Sequence, residues 1–383
     1  MSLRFVVLLV PVLLASGPRP APTQSSPQPQ AACVSRAATL PAVAPRWSAA
    51  RARAHALACE KLAPNIPGFA IAVAVDGQLV WSEAFGYADL EARRPATPTT
   101  QFRIGSVSKP LTADAIAHLY ESGKLDLDAP VQRYVPTFPE KGAVITTRLV
   151  AGHLAGLRHY RGAEFIMNRP FPSVTAALAI FKDDSLVAAP GTRFSYSSYG
   201  FNLLSAVIEE ASGEEFLAYM SRQVFTPLGM TSTAPDRNDS LIPNRTRFYE
   251  RTAAGEFVPS PTVDNSYKWA GGGFLSTAED LTRFGSAFLE PGHLEAATLE
   301  LLFTPQRTTS GAATPYGIGW YIGSDTLDHR YVYHGGGSVG GTTAFGVDRD
   351  SRVVFALVTN LGRARLDGAR EIRLVFDSAA TRP

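Results

Sequence analysis

The chain carries β-strand patterns near both ends and helical patterns in the middle, and this arrangement strongly constrains its fold. Residues 69–75 and 79–85 are apolar runs on either side of Asp76 and Gly77, which predicts a hairpin with a tight turn. Strand patterns return near the C-terminus, at 331–333, 343–347 and 353–359. We therefore predict one antiparallel sheet that is built from both ends of the chain.

A mostly helical stretch, residues 124–240, lies between the two strand regions. Apolar residues recur there at helical spacing, as over 174–181 and 201–211, and Pro and Gly residues separate the segments. Another helical pattern, 47–62, precedes the hairpin, and an amphipathic stretch, 365–376, follows the last strand. The predicted fold class is α/β (α+β), with an antiparallel sheet flanked by helices and an inserted, mostly helical lobe.

The N-terminal region has the pattern of a targeting segment followed by a linker. Residues 1–17 contain one arginine, an apolar stretch too short to span a bilayer and small residues, which predicts a signal peptide and a secreted or periplasmic protein. No acidic residue precedes Glu60 and arginines are scattered before it, so a mitochondrial address stays open. We expect a disordered linker at 18–45, rich in Pro, Gln, Ala and Ser, and one folded domain at 46–383.

Composition is that of a globular protein and limits the expected partners. The 383 residues are 45% hydrophobic and 18% charged, with a net charge of +2, so no charge pattern favours nucleic acid or an anionic membrane surface. The two cysteines are Cys33 and Cys59. In an oxidising compartment they can pair, and two free thiols are the other possibility.

A serine and a lysine three positions apart, Ser106 and Lys109, stand where the hairpin region leads into an apolar helical pattern. Residues three apart on a helix share a face, with Cβ atoms about 5–6 Å apart, so the amine can reach the hydroxyl. A neutral lysine can take the serine proton and make the hydroxyl a nucleophile. This requires the lysine pKa, about 10.4 in water, to fall through burial or nearby cations. The pair therefore predicts acyl transfer by a serine.

Two further segments carry side chains suited to such a site. Tyr196 and Ser198 lie in a polar, aromatic stretch that leads into a helical pattern. At the end of the predicted strand 331–333 stand His334 and three glycines, namely Gly335, Gly336 and Gly337. Glycines there allow a substrate backbone to approach the strand edge and to pair with it as an added strand.

At these three segments the chain resembles the penicillin-recognising serine hydrolases, in particular the class C β-lactamase and D-alanyl-D-alanine carboxypeptidase branch. That family carries S-x-x-K, then Y-x-N, then K-T-G or H-x-G, and the three segments here follow the same order. The resemblance covers roughly residues 50–378 and includes 269–280 and 316–320. Residues 153–160 are similar to a mitochondrial branch of serine β-lactamase-like proteins and its bacterial relatives.

The resemblance implies roles for the singled-out residues. Ser106 is the expected nucleophile, Lys109 assists its deprotonation, and the Tyr196 hydroxyl relays protons to the leaving group and the deacylating water. We expect the Tyr196 pKa to be lowered by a cationic Lys109, so that Tyr196 acts as a general base. The backbone N–H groups of Ser106 and Gly337 are the expected oxyanion hole. The resemblance implies no cofactor and no metal, and the expected substrate-binding residues are Ser198, His334, Gly335 and Gly336.

Two residues depart from the family pattern. Ser198 stands where the family usually has Asn, so a shorter hydroxyl replaces a two-headed amide. His334 stands where many members have Lys, which weakens the positive charge available to a substrate carboxylate. We therefore rank peptide or amide hydrolysis first, carboxylic ester hydrolysis second and β-lactam hydrolysis third.

An alternative is a catalytically inactive relative that binds a peptidoglycan-like or protein partner as a scaffold. The presence of Ser106, Lys109 and Tyr196 together favours the enzyme. The expected partner is accordingly a small-molecule or peptide substrate, and the sequence favours no particular oligomeric state.

Overall fold

The structure is a computed structural model that describes residues 33–40, 44–324 and 330–380. The predicted signal peptide, 1–17, lies outside these residues. The strands, numbered in chain order, are β1 Ser35–Ala37, β2 Gly68–Val75, β3 Gln78–Asp89, β4 Arg94–Pro95, β5 Phe102–Arg103, β6 Ala234–Pro235, β7 Tyr249–Arg251, β8 Phe257–Pro259, β9 Phe274–Ser276, β10 Tyr321–Ser324, β11 Arg330–Ser338, β12 Gly341–Asp348 and β13 Val353–Thr359. The α-helices are α1 Pro45–Leu57, α2 Ser108–Glu121, α3 Thr147–Ala151, α4 Val174–Ala177, α5 Ser198–Ser212, α6 Phe216–Met220, α7 Trp269–Gly272, α8 Ala278–Ser286, α9 Ala296–Phe303 and α10 Ala369–Ala380.

The main sheet joins the two ends of the chain, as the sequence predicts. Its order is β1-β3-β2-β13-β12-β11-β10, and β4 adds to β3. The hairpin β2–β3 lies beside the C-terminal strands because β2 pairs antiparallel with β13, with Phe69 opposite Thr359. Predicted strand 331–333 is longer than expected, since β11 continues through the glycines to Ser338.

Strand β2 is buried on both faces and shows how the layers are built. Its large side chains belong to the core that α1 and α10 share with the sheet: Phe69, Ile71, Val73 and Val75. Its small side chains belong to the core beneath α8: Ala70, Ala72 and Ala74. The period of two therefore gives one bulky face and one flat face. Helix α8 lies close to the sheet, because a Cβ on Gly285 would come within 2.4 Å of Val354 Cγ1.

The helices lie where the sequence predicts them, but their first and last residues differ from the predicted bounds. The stretch 174–181 forms α4 and a short 3-10 turn, and 201–211 lies inside α5. The helix predicted at 47–62 is α1 followed by a π-helical turn, whereas the one predicted at 365–376 begins later, as α10. Gly368, with φ of +98°, precedes α10 and sets its start. Among the described residues, no helix combines the length and apolarity needed to cross a membrane.

Part of the predicted linker is ordered. Residues 35–37 form β1 and pair with 83–85 of β3 at the edge of the sheet. Cys33 and Cys59 form a disulfide with Cα atoms 5.6 Å apart, which ties this edge to the end of the first helix. The sequence left this pairing open. A three-residue strand with exposed side chains has too little apolar pattern to be recognised in a Pro- and Gln-rich segment.

Candidate active site

Ser106 lies in a single 3-10 turn, Gly105–Val107, that leads directly into α2. The turn requires a glycine before the serine. Gly105 has φ of +52°, and a Cβ there would come within 2.6 Å of the carbonyl oxygen of Gly337. The turn that presents Ser106 is therefore pressed against the glycine segment of β11.

Lys109 reaches back from the first turn of α2 to Ser106. Its Nζ lies 3.0 Å from Ser106 Oγ, 3.1 Å from Ser198 Oγ and 2.7 Å from the carbonyl oxygen of Gly271. The side chain is fully buried, and burial holds the Lys109 pKa well below its usual value of 10.5. All three contacts are to uncharged oxygens, so no opposite charge in this set offsets the cost of burying an ammonium group.

Tyr196 lies just before α5 and faces the same pair. Lys109 Nζ is 4.9 Å from the centre of its ring. The phenol interacts with the Ser106 and Ser198 hydroxyls, which lowers its pKa, but burial has the larger effect and raises the Tyr196 pKa above 10. The expected lowering of this pKa is therefore wrong. Burial acts on the phenol as well as on the amine, so Lys109 loses the positive charge that would have stabilised a phenolate.

Ser198 connects the amine and the phenol at the start of α5. The preceding residue, Ser197, caps the helix by accepting a hydrogen bond from the Gly200 N–H at 3.1 Å. Two histidines hold this helix start, since the Ser197 N–H donates to His153 Nδ1 and the Ser198 N–H donates to His159 Nδ1. Burial lowers the pKa of both histidines, that of His159 to about 4, so both act as neutral acceptors.

The backbone of β11 presents a free edge beside Ser106. Strand β10 pairs only with 330–333, so the glycine segment beyond it has a strand on one side alone. Gly337 stands opposite Thr342, whose N–H donates instead to Thr359 Oγ1 at 3.2 Å. Gly337 and Thr342 therefore form a non-hydrogen-bonded pair of the antiparallel ladder. In such a pair each residue points its N–H away from the other. The Gly337 N–H therefore points to the side on which Ser106 lies.

His334 and Gly336 support this edge from behind. His334 is buried, with Nε2 2.9 Å from the Tyr316 hydroxyl and Nδ1 2.7 Å from the carbonyl oxygen of Gly335. Burial, with a smaller effect of Lys109, lowers the His334 pKa to about 3, so the ring is neutral. Gly336 packs against the backbone before the Ser106 turn, since a Cβ there would lie 2.0 Å from the Ile104 oxygen.

These groups meet at a cavity of about 600 Å³. Its reactive end is lined by Ser106, Ser198, Gly271, Gly272 and Gly337. Its other walls include Tyr160, Phe165 and Ile166 on one side and Glu250, Thr342 and Arg363 on another. Of the expected substrate-binding residues, Ser198 lines this cavity, whereas His334 and Gly336 are buried behind it. Gly335 is exposed on β11 and does not line the cavity.

Lys268 also lines the cavity and was missed by the sequence analysis. It is buried, its Nζ lies 3.3 Å from the Phe165 carbonyl oxygen, and it stands over the rings of Phe165 and Tyr267 at 5.0 Å each. Burial lowers its pKa to about 7. Its position immediately before the 269–280 segment was the one signal in the sequence that could have pointed to it.

Comparisons with known proteins show the family of the chain. A sequence model of the family described as Beta-lactamase matches residues 53–380. The chain is 35% identical over 371 residues to the serine beta-lactamase-like protein LACTB, mitochondrial, of Homo sapiens, which covers 72% of this chain and 68% of that protein. It is 27% identical over 257 residues to a D-aminopeptidase of Gluconobacter oxydans, covering 66% of this chain and 48% of that protein.

Among solved structures, the octameric penicillin-binding protein homologue from Pyrococcus abyssi matches the fold with a TM-score of 0.71 at 28% identity. The match covers 84% of this chain and 75% of that one. The antiparallel sheet with flanking helices is thus shared with this structure.

Proposed function

Since the chain belongs to the beta-lactamase family of serine hydrolases, we propose that it hydrolyses acyl bonds through a covalent acyl-enzyme on Ser106. One observation carries this proposal: the Lys109 amine is fully buried, lies 3.0 Å from Ser106 Oγ and is hydrogen-bonded by no carboxylate of the described residues. A buried amine without such a partner is favoured in its neutral form. Its lone pair can then accept the serine proton.

Acylation follows from these contacts. Lys109 takes the proton of Ser106 as Oγ attacks the carbonyl carbon of the substrate. The N–H groups of Ser106 and Gly337 hold the oxyanion, and each such donor is typically worth about 10²–10³-fold in rate. Collapse of the tetrahedral intermediate breaks the scissile bond, and the leaving group takes a proton from Tyr196.

Ser198 completes the proton path. Its Oγ lies 3.1 Å from Lys109 Nζ and interacts with the Tyr196 phenol. The proton taken up by Lys109 therefore returns to Tyr196 through the Ser198 hydroxyl. Deacylation uses the same path in reverse, with water in place of the leaving group. A hydroxyl suits this role because it can donate one hydrogen bond while it accepts another. This gives a chemical reason for Ser198 at the position where the family usually has Asn.

The proposed substrates are peptides or amides, with esters second and β-lactams third. The free edge of β11 offers backbone groups to an extended peptide. A relative of this chain is named a D-aminopeptidase, which fits hydrolysis of an amide. Neutral His334 gives no fixed charge for the carboxylate of a β-lactam, which places β-lactams last.

We propose that the protein works in an oxidising compartment after export, with a mitochondrial location as the alternative. The disulfide between Cys33 and Cys59 supports the first, because such bonds persist outside reducing compartments. The word mitochondrial in the names of the LACTB relatives supports the second.

Labelling with a fluorophosphonate probe, followed by intact mass, tests the proposal. Wild-type protein should gain one adduct, which Ser106→Ala should abolish. Ser338→Ala is the matched control, since Ser338 lines the same cavity and its buried Oγ has no hydrogen-bond partner. This variant should keep the label. An adduct that persists in Ser106→Ala would assign the label to another residue and overturn the proposal. Folded wild type that takes no label would overturn it in favour of a scaffold.

A further inference from the structure

A second cluster of reactive side chains lies on the nucleophile-bearing helix, away from Ser106. Asp114 and His118 stand four residues apart on α2, so they share one face of the helix. His293, from the segment between α8 and α9, closes over them. One ligand atom of each residue lies within 4.8 Å of those of the other two.

The distances within this cluster fit a shared ion. From the same carboxylate oxygen, Asp114 Oδ2, His293 Nε2 lies 3.0 Å away and His118 Nε2 lies 3.7 Å away. Ligands at 2.0–2.2 Å from a tetrahedral Zn²⁺ are about 3.3 Å apart, which falls between these two values. Small changes in side-chain torsion are therefore enough to bring the three atoms around one metal.

One buried polar atom of this cluster has no hydrogen bond. Asp114 is fully buried. His118 Nε2 is also buried and has no hydrogen-bond partner among the described residues. A buried polar atom without a partner is costly, and a bound ion is one of the ways in which that cost is removed.

We propose that Asp114, His118 and His293 form a binding site for a divalent transition-metal ion, with Zn²⁺ as the ion that best suits two imidazoles and one carboxylate. Water fills the fourth position. The two imidazole side chains are 14% and 12% exposed, so the ion has a short path from solvent.

The proposed ion has a structural role. It joins the second half of α2 to the segment that carries His293. Glu121 already holds this segment to the same helix, because its Oε1 accepts a hydrogen bond from the Glu295 N–H at 2.7 Å. The family resemblance implied no metal, and no compact motif marks these ligands, because an aspartate and a histidine of one helix combine with a histidine that is remote in sequence.

Calorimetric titration of tag-free, chelator-stripped protein with ZnCl₂ tests the site. Wild type should bind one ion per chain and gain thermal stability as Zn²⁺ is added. His118→Gln and His293→Gln should each weaken binding by at least about 100-fold, because loss of a mere supporting contact costs about 10–100-fold. With Co²⁺, wild type should show the visible absorption of a tetrahedral site.

His55→Gln is the matched control. His55 Nδ1 lies 2.9 Å from Glu83 Oε1, so it forms a histidine–carboxylate pair like that of Asp114 and His293, but Cys59 beside it is held in the disulfide. This variant should bind Zn²⁺ as wild type does. Circular dichroism of the metal-free variants checks that each one is folded. No saturable binding by folded wild type, or binding that both His118→Gln and His293→Gln leave unchanged, would overturn the proposal.

Discussion

Gly105 and Gly337 meet backbone to backbone, so closely that a Cβ on Gly105 would lie 2.6 Å from the Gly337 oxygen and 2.8 Å from its nitrogen. This contact sets the distance between the two N–H groups of the proposed oxyanion hole. The helix start that carries Ser106 and the strand edge that carries Gly337 are thereby held together without any side chain between them.

Gly105→Ala should therefore lower kcat/KM by at least about 100-fold, the loss typical of one oxyanion donor. Gly123→Ala is the control, because Gly123 also has a positive φ, +67°, yet no atom lies within 4 Å of its added Cβ. Both variants should lose about 1–2 kcal/mol of stability from the left-handed backbone, and Gly105→Ala should lose more because its Cβ meets the Gly337 backbone. Only the first should lose turnover of an activated ester, and equal losses of turnover would contradict the prediction.

Lys109→Met should be inactive and yet more stable than wild type at neutral pH. The folded-state pKa of Lys109 is lowered, so between that pKa and 10.5 the unfolded chain binds more protons and wild-type stability rises with pH. Methionine fills the same space without this cost. The stability gain should shrink as pH approaches about 10, which urea unfolding at a series of pH values measures.

The control for this prediction is Lys61→Met. Lys61 is a surface lysine whose Nζ lies 2.5 Å from a Glu371 carboxylate oxygen, and its replacement removes an ion pair and no buried amine. It should not stabilise the protein. If Lys109→Met were destabilised at neutral pH, the neutral-amine interpretation would fail.

Tyr196→Phe should slow deacylation more than substrate binding, by about 10²–10⁴-fold, the usual range for loss of a proton-transfer group. The phenol interacts with Ser106, and its proton is retained because burial raises its pKa. Stopped-flow measurement with an activated ester should show a burst followed by a slow steady state.

Tyr160→Phe should cause a smaller loss in the same assay, since the Tyr160 hydroxyl interacts with Ser198 and not with Ser106. If Tyr196→Phe turned over at the wild-type rate, the phenol would have no part in the mechanism.

Lys268 should make the cavity prefer anionic substrates at low pH. Its pKa is lowered to about 7, so it carries a charge below that pH and loses it above. The ratio of kcat/KM for a carboxylate-bearing ester to that for its neutral methyl-ester analogue should fall as pH rises through about 7. Lys268→Met should abolish this step.

Arg363→Met provides the matched control for Lys268. Arg363 lines the same cavity, so its replacement removes a cavity cation and leaves Lys268 in place. The variant should therefore keep the pH-dependent step. A pH step that survives in Lys268→Met would assign the titration to another group.

The fold was largely predictable because its signals are local. The apolar alternation of 69–75 and the Asp76-Gly77 turn define a hairpin without reference to the rest of the chain. Strand β1 was not predictable, because its position depends on pairing with β3 and on the disulfide, both of which are made across the sequence. The sequence patterns thus predicted the central strands of the sheet but not the edge strand β1.

The same distinction holds in the candidate site. Ser106 and Lys109 meet because one helical turn brings them together, and the sequence shows that turn directly. The protonation of Tyr196 and the place of Lys268 depend on burial, which forms only when remote segments pack. The ionisation states of Tyr196 and Lys268 could therefore not be predicted from the sequence.

The pairing of β2 with β13 has a consequence for synthesis of the chain. On the ribosome, residues 68–75 emerge long before 353–359, so β2 spends most of translation with one edge open. Ser106 is likewise synthesised long before Gly337, whose strand edge completes the site. A product that terminates before Gly337 therefore has neither a closed sheet nor a complete catalytic centre, and the sheet closes only when 353–359 have left the exit tunnel.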